Sequence, residues 1–214
     1  MSTQKPQTPL DWIIDRILRG VIGSALLLPF PVRVRLVGGL VSRVIGPIAG
    51  YDARAMANLH RVYPEKSPEV LKAIARGALR NAGCTLIENY STEDLRAQVK
   101  HLPIQGPGLD AVRAAQKAGQ PVIFVTGHFG NYEVPRHALD AVGIPVGGLY
   151  RPMSNAFFND HYVRTMERVS GPLFEQGRGG TRGFIKHLRS GGMAVLLFDL
   201  YDSTGTDVPI LSVP

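Results

Sequence analysis

The sequence predicts an α/β protein with a largely parallel sheet flanked by helices and a helical N-terminal part. Two observations carry this. From residue 121 onward, short apolar runs alternate with segments of helical spacing, the pattern of parallel strands joined by crossover helices. Between residues 10 and 91 the apolar residues instead recur at helical period, with no strand-like run among them.

The elements follow in order. Leu10, Ile13, Ile14, Ile17, Val21, Ala25 and Leu28 mark one helical face, with Asp11, Asp15 and Arg19 on the other. Pro29 and Pro31 stop this helix. At 1.5 Å per residue it is about 28 Å long. The charges of Asp11, Asp15, Arg16 and Arg19 make it a poor membrane span. A second apolar pattern, Val34, Val37, Val41, Val44 and Ile45, runs beside Arg33, Arg35 and Arg43. Residues 1–50 hold six basic and two acidic side chains. An apolar stripe flanked by arginines suits a helix lying on an anionic bilayer; a helix pair packed on a core has the same pattern. The apolar stretch starts late and lacks a small-residue cleavage site, so a signal peptide is not expected.

Residues 52–62 and 67–91 read as helices, the second with Ser67 as cap and Pro68 at its first position. A short strand is expected near 99–104, then a helix over 107–118 stopped by Gly119. Strand 121–126, helix 131–141, strand 145–150, helix 155–169, an extended piece near Leu173, helix 181–189 and strand 193–198 complete the chain. The expected organisation is an N-terminal unit, residues 1–50, and an α/β domain, residues 51–214.

Composition limits the function classes. With 44% hydrophobic and 19% charged residues in 214, the chain can bury a real core and is neither disordered nor a disulfide scaffold. Its single cysteine, Cys84, cannot form an intrachain disulfide. A net charge of +7 predicts acidic partners. There is no helix-turn-helix, zinc-finger or RNA-recognition signature, so nucleic acid is not an expected partner. Without a His-Glu-x-x-His run or a cysteine pair, no metal is expected. No cofactor is expected either, because the Gly-rich segment near residue 178 has neither P-loop nor dinucleotide spacing.

The chemistry concentrates in Phe124-Val125-Thr126-Gly127-His128-Phe129-Gly130-Asn131-Tyr132-Glu133. His128 falls on a strand-to-helix turn at the open end of the sheet, where ligands bind in such folds. Within one continuous helix, five positions rotate about 140°, and the two side chains would diverge. With His128 on the turn and Glu133 in the first helical turn they can meet. Glu133 can then fix one ring nitrogen and leave the other as a base. A carboxylate favoured there by the helix dipole alone is the competing account. Arg151, within Tyr150-Arg151-Pro152, ends a strand near the same edge, where a guanidinium can hold a phosphate or carboxylate, or simply face solvent. Gln176-Gly177-Arg178-Gly179-Gly180-Thr181-Arg182 runs into a helix that Thr181 can cap. It reads either as a flexible turn or as a phosphate cradle using Arg178 and Arg182. Asp199 ends the last strand, in a position that fits a catalytic role and a structural one equally.

Several of these segments carry a resemblance. His128-Phe129-Gly130-Asn131-Tyr132-Glu133 behind an apolar strand resembles the His-x-x-x-x-Asp/Glu block of the glycerolipid acyltransferase superfamily, in the version found in lipid A biosynthesis lauroyl/myristoyl acyltransferases. Ala57-Asn58-Leu59 with Tyr63-Pro64, Arg80-Asn81-Ala82-Gly83 with Glu88, Tyr150-Arg151-Pro152 with Asn155, and Leu197-Phe198-Asp199 resemble further blocks of that family. The resemblance implies transfer of an acyl group from an acyl thioester, acyl carrier protein or acyl-CoA, to a hydroxyl of a lipid A precursor. His128 would act as general base and Glu133 would orient it. Arg151, Asn155, Arg178 and Arg182 would bind substrate, without metal or cofactor. It also implies a membrane-associated N-terminal part and a location on the cytoplasmic face of the inner membrane. The family fold continues well past Asp199, so its C-terminal portion is expected to be missing and activity reduced. The alternatives are acyl transfer to another phosphoglycolipid or ornithine lipid, and a non-catalytic membrane-associated remnant.

Overall fold

A computed structural model describes residues 6–199. Helix α1 (Pro9–Leu26) starts at a capping box in which Thr8 and Asp11 satisfy each other's backbone donors. Helix α2 (Phe30–Leu40) continues through a π-helical turn, Val41–Ile45, into a short α3 (Gly46–Ile48). Then come α4 (Tyr51–Val62), α5 (Pro68–Tyr90), α6 (Thr92–Val99) and α7 (Leu109–Lys117). The rest alternates: β1 (Val122–Thr126), α8 (Val134–Ala141), β2 (Val146–Tyr150), α9 (Ala156–Glu167), β3 (Leu173–Glu175), α10 (Arg178–Arg189) and β4 (Met193–Leu197).

The four strands among the described residues are all parallel, in the order β1-β4-β2-β3. Right-handed crossovers then put α8 and α9 on one face of the sheet, because both connections run in one direction, and α10 on the other. Side chains agree. Val146 shares a core with Leu139 of α8, Ile144, Met193 and Val195. Its neighbour Gly147 points the opposite way, toward His187 of α10. Phe174 of β3 meets Phe184 and His187 on that second face. α10 leaves β1 uncovered there, and Ile123 and Val125 are 47% and 64% exposed.

The helices of the first fifty residues share a core with the rest. Ile22 of α1 packs with Ile87 and Tyr90 of α5 and Phe158 of α9, with Val34 and Val37 of α2 against them. Buried Asp15 pairs with Arg19 at 2.7 Å, and Arg19 reaches the Phe157 carbonyl at 2.7 Å. Arg33, expected beside a membrane-facing stripe, is buried. It caps the carbonyls of Leu26 and Leu28 and pairs with Asp94. Other apolar side chains of this part face outward, Leu27 at 87% and Ile48 at 83% exposure. Among the described residues no helix is long and apolar enough to cross a membrane.

Three sequence expectations need correction. The strand near 99–104 is absent: Val99 ends α6, buried one turn from Leu95, and the residues after it form no strand. The helix expected from residue 131 starts at Val134, with 131–133 in the preceding turn. The Gly-rich segment is not a turn capped by Thr181: α10 starts at Arg178, and Gly177 (φ 138°) is its N-cap. Gly180 is required there, because a Cβ would run into the Glu175 carbonyl as the helix crosses the end of β3.

Candidate active site

Register builds the site. β1 pairs with β4 so that Thr126 lies beside Leu197. Two residues further along each strand, His128 and Asp199 therefore meet across the C-terminal edge of the sheet. Asp199 Oδ2 accepts the His128 backbone N–H at 2.6 Å, and Oδ1 accepts from His128 Nδ1 at 2.8 Å. An ionised carboxylate only accepts, so Nδ1 carries a proton, and in the neutral ring Nε2 then keeps a lone pair. The two hydrogen bonds from His128, side chain first and backbone second, hold the Asp199 carboxyl below its usual range. Gly127 makes the fit possible: a Cβ there would lie 2.9 Å from Asp199 Oδ2. The ring of Tyr132 meets the imidazole edge-on, with centroids 5.1 Å apart.

The turn that carries His128 is pinned from α5. Asn81 and Thr85 donate to the Gly130 carbonyl at 3.3 and 3.2 Å, and Asn131 donates to Glu88 at 2.9 Å. Asn131 also receives the backbone N–H groups of Glu133 and Val134, on its side-chain and main-chain oxygens, at 3.0 and 3.1 Å. Those two donors are thus used within the turn.

Glu133 does not meet His128. Its carboxylate takes a 2.7 Å hydrogen bond from Arg136 Nη1, and both side chains are buried. Arg136 also donates to the carbonyls of Val146 and Ser170. The expected His128–Glu133 contact fails because Glu133 lies in the turn before α8 and faces down that helix, one turn from Arg136. His137, beside this pair, is buried, and neither ring nitrogen has a hydrogen-bond partner among the described residues. Burial, then the charges of Arg96 and Arg136, push its pKa down to about 4.

His128, Glu133 and Arg136 line one cavity of about 390 Å³ between α8, α9 and the strand ends, with Arg151, Met153, Tyr162 and Met166 also on its wall. Tyr132 and Tyr162 touch hydroxyl to hydroxyl at 3.2 Å, and burial raises both phenols above their usual range. Among the described residues no cluster of His, Cys, Asp and Glu could hold a metal.

The family model of the bacterial lipid A biosynthesis acyltransferases matches residues 2–214. The chain belongs to that family. It is also similar to the lipid A biosynthesis palmitoleoyltransferase of Escherichia coli (strain K12) and the lipid A biosynthesis acyltransferase of Shigella flexneri. It is 26% identical to each over 176 residues, which is 80% of this chain and 55% of each relative. The chain thus spans about half the length of these curated relatives.

As a family member, the chain distributes its expected substrate residues unevenly. Arg151 is exposed and lines the His128 cavity. Asn155 is taken up by structure: it caps α9 by accepting from the Phe158 N–H at 3.1 Å and donates to the Asp11 carbonyl at 2.7 Å. Arg178 and Arg182 lie outside that cavity, along a separate open groove on α10. The partner of His128 was the residue hardest to find from sequence, since it is 71 positions away. A strand ending in Asp and a Gly just before the His were the available signals.

Proposed function

We propose that this chain transfers a fatty acyl group from an acyl thioester, donated by acyl carrier protein or acyl-CoA, to a hydroxyl of a lipid A precursor. The observation that carries the reading is the His128–Asp199 pair opening on a part-apolar cavity in a chain of this family. Asp199 fixes the tautomer, and His128 Nε2 takes the proton of the acceptor hydroxyl. The hydroxyl oxygen attacks the thioester carbonyl carbon. The C–S bond breaks, and the thiolate leaves with the proton returned from Nε2. No protein nucleophile takes part. Arg151 holds a phosphate of the acceptor. Glu133 serves through Arg136, anchoring the turn that presents His128.

Location belongs to the same reading. Leu10, Trp12, Ile17, Leu27 and Ile48 are exposed on the N-terminal helices, with Arg16, Arg35 and Arg43 also reaching solvent. Such a surface suits the cytoplasmic face of the inner membrane, where both a soluble thioester and a lipid acceptor are within reach.

The test is mass spectrometry of products from the purified full chain, supplied with acyl carrier protein loaded with C12–C16 acyl groups and a lipid A precursor. A mass gain of one acyl group, absent with His128→Ala, is the expected result. No acyl gain on any precursor, or an equal gain with His128→Ala, overturns the reading. Transfer only to an ornithine lipid would move the acceptor and keep the mechanism.

A further inference from the structure

The outer face of α10 carries Arg178, Arg182, Lys186 and Arg189, with Thr181 and Ile185 between them, along one open groove. Spacings of four, four and three residues place the cations in a line down one side of the helix. That line is about 16 Å long at 1.5 Å per residue. All four are exposed, and none has an acidic partner among the described residues. The helix contains no acidic residue at all. Arg178 even occupies its first turn, where the macrodipole disfavours a positive charge. The dipole favours Lys186 and Arg189, in the last turn, but not Arg178, and the line as a whole presents a single sign of charge that an anionic surface can meet.

We propose that this face docks an acidic helix of the protein that carries the acyl thioester. The proposal rests on the acyl-transfer reading above. Position supports it: Arg178 lies two residues after Gln176, which lines the His128 cavity, so the line begins at the mouth of the site and runs away from it. A protein docked along the line can present a thioester on a flexible arm at that mouth. An anionic bilayer fits less well. Surface helices that bind membranes bury an apolar face beside their basic residues, and Ile185 is the one exposed large apolar side chain of α10. The exposed apolar side chains of the N-terminal helices lie elsewhere: α1 packs on α9, on the opposite side of the sheet from α10, and α2 packs on α5.

The experiment uses the full chain carrying Lys186→Glu and Arg189→Glu, the half of the line farthest from the cavity. Three readouts are needed: KM with acyl carrier protein as donor, KM with acyl-CoA, and binding to vesicles of zwitterionic lipid with anionic lipid added. The expected result is a rise on the order of tenfold in KM for the carrier protein, easing as salt rises, with acyl-CoA kinetics and vesicle binding unchanged. Unchanged KM for both donors overturns the proposal. So does loss of vesicle binding with carrier kinetics intact, which would make the line a lipid contact. If the parent chain transfers from neither donor, the acyl-transfer reading fails. Docking is then decided by titrating the acyl carrier protein itself into parent and variant: equal affinity, or none, overturns the proposal.

Discussion

The Glu133–Arg136 pair keeps 7% and 3% side-chain exposure, whereas His128–Asp199 keeps 38% on the carboxylate and 35% on the imidazole. His128, Glu133 and Arg136 line the same cavity, and each pair joins a carboxylate to a basic group at 2.7 to 2.8 Å. Their surroundings divide the labour. Arg136 is also bound to two backbone carbonyls, so the buried pair is a cross-brace between α8, β2 and the loop at Ser170. The imidazole, held on one nitrogen and open on the other, is able to exchange a proton with a substrate. Burial makes a charge pair structural, because breaking it strands a charge away from water; partial exposure leaves a pair able to react.

Breaking the brace should produce the largest effect. Glu133→Ala leaves the Arg136 guanidinium buried without its carboxylate, which should destabilise the fold by about 3–5 kcal/mol, read from denaturant midpoints. If Glu133→Ala kept the parent midpoint and lost only turnover, the carboxylate would belong to the chemistry, as the spacing in the sequence suggests. His128→Ala should do the opposite. Turnover should drop by about 10²-fold or more, with stability within about 1 kcal/mol of the parent. A collapse in stability there would erase the contrast between the two pairs.

That contrast shows what the sequence could and could not convey. Strands β1, β2 and β4 were legible as short apolar runs, the pattern of parallel strands, and β1 keeps it although Ile123 and Val125 on one of its faces are exposed. The segment around His128 was legible because strand, glycine and helix are contiguous. Asp199 was not assignable, since its contact depends on β4 lying beside β1 rather than beside β3, and the strand order is not written locally. Glu133 misled for the same reason: spacing brought it near His128, but a buried Arg136 three residues on competed for its carboxylate. Helix α6 was hidden by its shortness, and the first turn of α10 by glycines that serve a close helix–strand crossing instead of a turn.

The buried side should also respond more strongly to mild acid. His137 has a folded pKa of about 4, below its unfolded value of about 6.5. The unfolded chain therefore binds the extra proton first, and stability should fall as the pH drops from about 6.5 toward about 4. The loss should be on the order of 2 kcal/mol. His137→Leu, which removes two ring nitrogens with no partner, should flatten that slope without loss at neutral pH. An unchanged slope in the variant would assign the acid sensitivity elsewhere.

The exposed pair is best probed by the smallest change, Asp199→Asn. The carboxylate accepts two hydrogen bonds from His128, one on each oxygen. An amide has one acceptor oxygen and offers N–H groups on its other side, so one donor loses its partner or the imidazole changes tautomer. The ring would then less often present a bare Nε2, and turnover should fall about tenfold, less than for a fully buried orienting carboxylate. Stability should carry a distinct pH signature. Because the folded pKa of Asp199 is depressed by its bonds to His128, its contribution is fully present above the ordinary carboxylate value of about 4 and is lost as pH falls through the depressed folded value. The difference in midpoint between parent and Asp199→Asn should therefore hold steady from pH 8 to about 5 and shrink only below about 4. A difference that already shrinks between pH 8 and about 5 would show that the Asp199 carboxylate does not carry it.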